Sequence, residues 1–359
     1  MKNKNRLIFW AILLFTALAI KLYSASGLRV ETGYSAGLYP PISAFLRILF
    51  GWIPFSIGDI LYGVLFTWIC WKTGAGIRKL WRREATWKGT MHRSLKALAF
   101  GLVFYIIFNL FWGINYNRKG IAYQLDLKLE KYSLDDLKNM NALLVDKVNV
   151  AKLALIRKPD SISNNADLFT RVIKAYDKVD SIYPFLHYKI PSIKSSLWGW
   201  LGNYLGFMGY YNPFTGEAQV STSVPKFLQP FVACHEVAHQ LGYAREMEAN
   251  FVGYLAASSS GDTLMHYSVY LDLLVYSNRN LFLSDSTAAR DYARQLVPEV
   301  KADLKFWREF NNRHRNPFEP AFRWIYGIYL KNNQQPQGVL SYDVVTSFLI
   351  AFYKKTGKI

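Results

Sequence analysis

His235-Glu236-Val237-Ala238-His239 is the stretch on which the reading of this chain turns. Side chains four residues apart on a helix lie on one face, one above the other, so these two imidazoles can address a single ion. Glu236, beside the first of them, is then placed to reach a water held by that ion. The neighbouring residues supply the helix. Pro230 suits a first helical turn, the apolar run from Phe231 to Cys234 gives the helix a face to bury, and Gly242 suits a left-handed stop. The chain has only six histidines in 359 residues, so a pair at this spacing around a Glu is seldom an accident of composition.

A second helical stretch, Arg245 to Ala256, follows at once and opens with two carboxylates. A catalytic zinc takes three protein ligands and keeps its fourth position open. Glu246 shares a helical face with Ala249, Asn250, Gly253 and Ala257, all small or polar, so that side can come close to the first helix. Glu248 shares its face with Phe251, Val252 and Leu255, which reads as a packing face. Glu246 is therefore the preferred third ligand of a Zn²⁺ ion, with Glu248 in reserve. Asn250, one turn beyond Glu246, is the expected partner that orients a ligand. Tyr243, Tyr211 and His266 are candidate donors to the oxyanion of a tetrahedral intermediate, and the sequence does not choose among them.

The run from His235 to Asn250 resembles the gluzincin class of zinc peptidases, in which HExxH is joined to a downstream Glu followed four residues later by Asp or Asn. Membrane-anchored prenyl-protein and heat-shock zinc proteases show such patterns. The resemblance implies a zincin-like α+β domain with a small sheet. The gap from His239 to Glu246 is shorter than most gluzincins use, and Arg245 stands where a metzincin has its third His. The wider chain is similar to a bacterial membrane family known only as a domain of unknown function. That likeness is carried by an apolar N-terminal region, the stretch Gly209 to Ala218, and then the His motif.

The apolar residues are concentrated at the N-terminal end. Residues 7–26, 52–71 and 95–115 each approach the roughly twenty residues that cross a bilayer. The first reads as a retained anchor rather than a cleaved signal, because its apolar stretch is long and no small-residue cleavage site follows. Residues 42–50, with Arg47, read as an interfacial or re-entrant piece before the second span. Asp59, near one end of that span, reads as a capping or snorkelling carboxylate in preference to an ion-transport group. Residues 1–116 hold 14 Lys and Arg against 3 Asp and Glu, a net of +11 out of +18. Basic residues crowd the start of the chain and residues 72–96, which places both in the cytoplasm and residues 117–359 on the periplasmic side. The excess positive charge thus belongs to topology and to anionic headgroups, and a nucleic-acid partner loses its support. Cys70 and Cys234 suggest no disulfide framework.

The expected architecture is mostly α: three transmembrane helices in residues 1–116, then a zincin-like domain over 117–359. Helices are expected over 134–155, 166–182, 264–275, 288–310 and 341–354, and a sheet edge over 210–223. The expected function is a zinc metallopeptidase of the inner membrane. Glu236 would be its general base and a peptide or protein its substrate. The alternative is a non-catalytic envelope scaffold with a degenerate or structural metal site. The sequence does not indicate an oligomeric state.

Overall fold

The computed structural model of the protein describes residues 2–84, 86–333 and 342–359. The chain is mostly helical, with one small sheet. Three helices near the N-terminus are long and apolar enough to cross a membrane: α1 (Lys2–Ser24), α4 (Ile57–Trp81) and α5 (Trp87–Phe111). Between the first two, α2 (Gly27–Arg29), a π-helical stretch (Val30–Leu38) and α3 (Tyr39–Phe50) follow one another without a break.

Helix capping sets where α4 and α5 begin. The second begins at Ile57, five residues after the expected start. Residues 51–55, which include Pro54, form a turn, and the Ser56 hydroxyl accepts the Asp59 N–H as an N-cap. The third begins at Trp87, eight residues earlier than expected, because Thr86 caps it in the same way through the Gly89 N–H. It ends at Phe111, where the chain tightens into a 3-10 turn (Gly113–Asn117).

The remainder wraps the motif helix. After the short α6 (Ile121–Gln124), α7 (Leu134–Arg157) opens on a reciprocal capping box between Ser133 and Asp136. Then come α8 (Asn165–Asp180), a 3-10 turn (Pro184–Leu186), β1 (Ile193–Ser195), α9 (Gly199–Leu205), β2 (Gly209–Asn212) and β3 (Glu217–Val220). The motif lies on α10 (Gln229–Gln240) and its acidic neighbour on α11 (Glu246–Ser259). They are followed by α12 (Thr263–Ser284), α13 (Ser286–Arg294), α14 (Pro298–His314), α15 (Glu319–Asn332) and α16 (Tyr342–Thr356). The single helix expected over 288–310 is therefore two: Pro298, which has no N–H to continue a ladder, opens the second. Of the helix expected over 341–354, Ser341 lies outside the described residues.

The sheet has the order β1-β3-β2, with β1 parallel and β2 antiparallel to β3. β2 and β3 form the hairpin that the turn residues around Pro213 and Gly216 suggest, and β2 is an edge strand. Buried residues of α7, α8, α10, α11, α12 and α16, with Ala218 and Val220 of β3, make one continuous apolar core. A second apolar cluster joins the first third of the chain to the rest. It holds Ile20, Val30, Tyr34 and Tyr39 together with Trp112, Ile114, Tyr116, Tyr211 and Ala244.

Two buried carboxylates fasten the sheet to the second span. Glu217 of β3 accepts the Ile57 and Gly58 N–H groups at 3.1 and 2.7 Å and the Ser56 hydroxyl at 3.3 Å, so it completes the N-terminal cap of α4. A negative charge at a helix N-terminus is also favoured by the helix dipole. In return, Asp59 of α4 accepts the Leu197 N–H at 2.6 Å, the Ser196 hydroxyl at 3.1 Å and the Tyr210 hydroxyl. Asp59 is thus a docking group between the span and the sheet. Glu217→Gln replaces an acceptor by an amide that presents a donor to the same N–H groups. It is expected to cost about 1–3 kcal/mol, read as a lower unfolding midpoint of the full chain in detergent.

Candidate metal centre

Two helices and one tight turn build the site. Pro230 lies in the first turn of α10, and the helix ends at a left-handed Gly242, φ +89°, whose following N–H, that of Tyr243, donates back to the Ala238 carbonyl at 3.2 Å. α11 starts four residues past that glycine, with Glu246 as its first residue. The small face of α11 lies against α10: a Cβ added to Gly253 would stand 3.1 Å from the His235 nitrogen. With the helices this close, the Glu246 carboxylate lies over the histidine pair.

The ring nitrogens are sorted by their partners. His235 Nδ1 lies 2.8 Å from Asn250 Oδ1, and His239 Nδ1 lies 2.8 Å from the Tyr243 carbonyl. Each partner is an oxygen acceptor, so each Nδ1 carries a proton and Nε2 is the ring atom left to face Glu246, where it offers a lone pair to a cation once any proton on it has left. Those two Nε2 atoms lie 3.2 and 3.6 Å from Glu246 Oε2. The three ligand atoms of His235, His239 and Glu246 all fall within 4.8 Å of one another, a spacing at which they can share one cation. The other Glu246 oxygen accepts the Tyr326 hydroxyl of α15 at 2.8 Å.

The charges follow from this arrangement. Burial works against ionising Glu246, but the adjacent His239 and His235 hold its carboxyl well below the usual carboxylate range. Burial likewise opposes the His235 imidazolium, yet hydrogen bonding and charge from Glu246, with the charge of Glu236, push His235 up to about 9. Glu236 is buried beside the pair, and its desolvation pushes the carboxyl up to about 7. Its Oε2 has no hydrogen-bond partner among the described residues. β2 passes against it: a Cβ on Gly209 would stand 2.6 Å from Glu236 Oε1.

The other candidates are placed elsewhere. Glu248, the reserve ligand, is buried on the far side of the turn, where it accepts from Arg245 at 3.3 Å and presses on Gly120. Tyr243 turns its hydroxyl to Gln124 Oε1 at 2.6 Å and lays its ring under the Arg118 guanidinium, so it is not aimed at the histidines. Tyr211 hydrogen-bonds Tyr39 within the second apolar cluster. His266 bonds the Ser260 carbonyl at the opposite end of α11. None of these three is brought to the cluster.

Three residues that the sequence reading passed over are brought to it instead. Tyr326 approaches from a helix eighty residues downstream, and no local pattern announces it among 24 tyrosines. Asp272 of α12 is buried, bonded by Tyr276 and close enough to His235 to feel its charge; burial pushes its carboxyl up to about 7. Gly209 had a legible signal, being a glycine that opens a strand, where close backbone approach is a common reason.

The chain belongs to the family described as "Protein of unknown function (DUF3810)", whose model matches residues 34–350. Searches of the curated proteins and of the solved structures found no match.

Because His235 holds a proton to about pH 9 in the metal-free site, zinc binding near pH 8 is expected to release a proton. Calorimetric titrations in buffers of different ionisation enthalpy measure that release. In the same titrations Glu246→Ala should abolish tight binding, Glu248→Ala should leave the affinity unchanged, and Asn250→Ala should weaken it about 10–100-fold.

Proposed function

We propose that this protein is a membrane-anchored, zinc-dependent peptidase with a zincin-like site, in which His235, His239 and Glu246 hold the metal and Glu236 is the general base. The observation that carries the reading is the sorting of the imidazole nitrogens. Both Nδ1 atoms are committed to oxygen acceptors, while both Nε2 atoms converge on one carboxylate oxygen. A structural histidine pair has no need of that convergence. A zinc ion bound there supplies Lewis-acid polarisation of a carbonyl and a water acidified to near neutrality.

The chain's own residues account for the proton. Glu236, buried and poised near neutrality, has its Oε2 unengaged and takes the proton of the attacking water at that atom. It then delivers the proton to the leaving amine as the carbon–nitrogen bond breaks. Asn250 and the Tyr243 carbonyl hold the two rings in the tautomer that keeps Nε2 free. Tyr326, already within hydrogen-bond reach of Glu246, supplies a hydroxyl at the edge of the cluster. Gly209 sets β2 against Glu236, and an extended peptide pairing with that edge strand would present its carbonyl beside the base. The working side of the membrane in this reading is the periplasmic one.

Glu236→Gln is expected to keep zinc, measured by metal analysis of the purified chain, while hydrolysis of a quenched-fluorescent peptide mixture falls by about 10²–10⁴-fold. Undiminished hydrolysis in that variant overturns the mechanism. Gly209→Ala should also keep zinc and lose rate, because its new methyl group meets the Glu236 carboxylate and the Gln219 carbonyl at under 3 Å.

A further inference from the structure

Residues 195–216, from Ser195 to Gly216, contain no charged side chain, and seven of the twenty-two are aromatic. This segment carries α9 and runs into β2, the strand against Glu236. Its apolar side chains are not all inside the protein. Leu197, Trp198, Trp200, Leu201 and Tyr204, at helical spacing, are each exposed by about two-fifths or more. α15 presents a matching face. Phe322, Tyr326 and Leu330 point inward, whereas Phe318, Ala321, Trp324, Ile325 and Ile328 form an exposed stripe on the other side. The two helices are joined: the Phe207 and Phe322 rings lie 6.0 Å apart, and Asn316 Nδ2 donates to the Tyr204 carbonyl at 2.6 Å.

The second span says what covers these faces. On α4 the uncharged lining runs from Ile60 to Trp71 and, past Lys72, on to Ile77, eighteen residues or about 27 Å at 1.5 Å per residue. The hydrocarbon core is about 30 Å thick, so that length has nothing to spare and the bilayer begins at about Ile60. Trp198 of the α9 segment donates its indole N–H to the Asp59 carbonyl at 3.1 Å, and its ring lies against Gly63. Gly63 is three residues, about 4.5 Å, down the span from Ile60. An apolar groove lined by Ile60, Val64, Thr67, Trp68, Trp71 and Trp198 continues along α4 from that point. Trp198 therefore stands at the level of lipid.

From this depth and the continuity of apolar surface we infer that α9 and α15 are seated in the leaflet that meets the Ile57 end of α4, their exposed faces covered by lipid. Tryptophan is the side chain most at home at that boundary, and each of the two faces carries it. The metal-binding cluster is drawn to the same level. Tyr210, bonded to Asp59, adjoins Gly209, which touches Glu236, and Tyr326 of α15 bonds Glu246. A polypeptide that reaches Glu236 past either helix thus comes along the bilayer surface.

The full chain with Cys70→Ser, reconstituted in phosphatidylethanolamine–phosphatidylglycerol vesicles, permits the test, since Cys234 is fully buried. Spin labels on Trp200→Cys, Trp324→Cys and Ile325→Cys are compared with a lipid reference, Ile69→Cys on α4, and a water reference, Asp291→Cys on α13. Seating in the leaflet gives the three test labels a several-fold higher ratio of collisions with dissolved oxygen to collisions with a neutral nickel chelate than position 291 shows. A ratio equal to that at position 291 places the helices in water and overturns the inference. Shelter from both reagents overturns it too, because the cover is then protein, such as a second copy of the chain. Neither reading involves hydrolysis, so a failure here is distinct from a failure of the peptidase reading, which the zinc titrations and Glu236→Gln address.

Discussion

The end of the motif helix is a row of carbonyls that water does not reach, and side chains from the first third of the chain satisfy them. A helix leaves its last four carbonyls without partners inside the helix. Here the His239 carbonyl takes the Trp112 indole N–H at 3.2 Å, and the Gln240 carbonyl takes the Tyr39 hydroxyl at 2.9 Å and the Ser43 hydroxyl at 3.3 Å. The Gly242 carbonyl takes Arg118 at 3.1 Å. From within the turn, the Gly242 N–H also reaches the His239 carbonyl at 2.9 Å, the Tyr243 N–H reaches the Ala238 carbonyl at 3.2 Å, and His239 Nδ1 answers the Tyr243 carbonyl. Each such bond left unmade in a buried setting costs about 1–3 kcal/mol. The turn that brings Glu246 over the histidines is therefore braced by Tyr39, Ser43, Trp112 and Arg118. The N-terminal region is part of the site's construction as well as an apolar anchor.

Charge explains why one glutamate of α11 joins the histidines and the other does not. Glu248 faces Arg245 and Arg118, and Arg118 is also paired with Glu31 at 2.6 Å in a fully enclosed setting. Glu31 further accepts the Gly120 N–H and the Gln124 amide. Buried ion pairs of this kind add little net stability, but removing one member leaves an uncompensated charge, so they fix which way a side chain can face. Glu248 is bound into that network. Glu246, two residues earlier and about 200° around the helix, faces the imidazoles and Tyr326 instead.

The sequence made the local geometry legible and left the long-range geometry hidden. The i,i+4 histidines, the proline in the first turn of α10, the left-handed Gly242 and the small face of α11 are all rules of helix construction. They foretold that Glu246 and Asn250 would meet the motif helix. The start of α7 at Leu134 and the sheet edge within residues 210–223 were legible for the same reason. The helix starts at Ile57 and Trp87 depended on N-caps, Ser56 and Thr86, that hydropathy does not register. Tyr326, Asp272 and the Glu217 cap depend on which distant elements come together, and a tyrosine or carboxylate in an ordinary helix or strand gives no sign of its partner. Nothing in the sequence chose among the oxyanion candidates, and the turn that places Glu246 sends Tyr243 to the other side.

The exchange between Asp59 and Glu217 joins the apolar helix α4 to the strand that packs against Glu236. Glu217 holds the first turn of α4 from β3, while Asp59 of that same turn holds Tyr210 of β2, so the span and the hairpin grip each other at two points on adjacent strands. Close-packed elements transmit displacement, since there is no free volume to absorb it. Gly209 is the next residue of β2 and has no side chain to buffer its contact with Glu236. One peptide unit of a strand paired along its length to β3 thus separates the Asp59 contact from the contact with the Glu236 carboxylate.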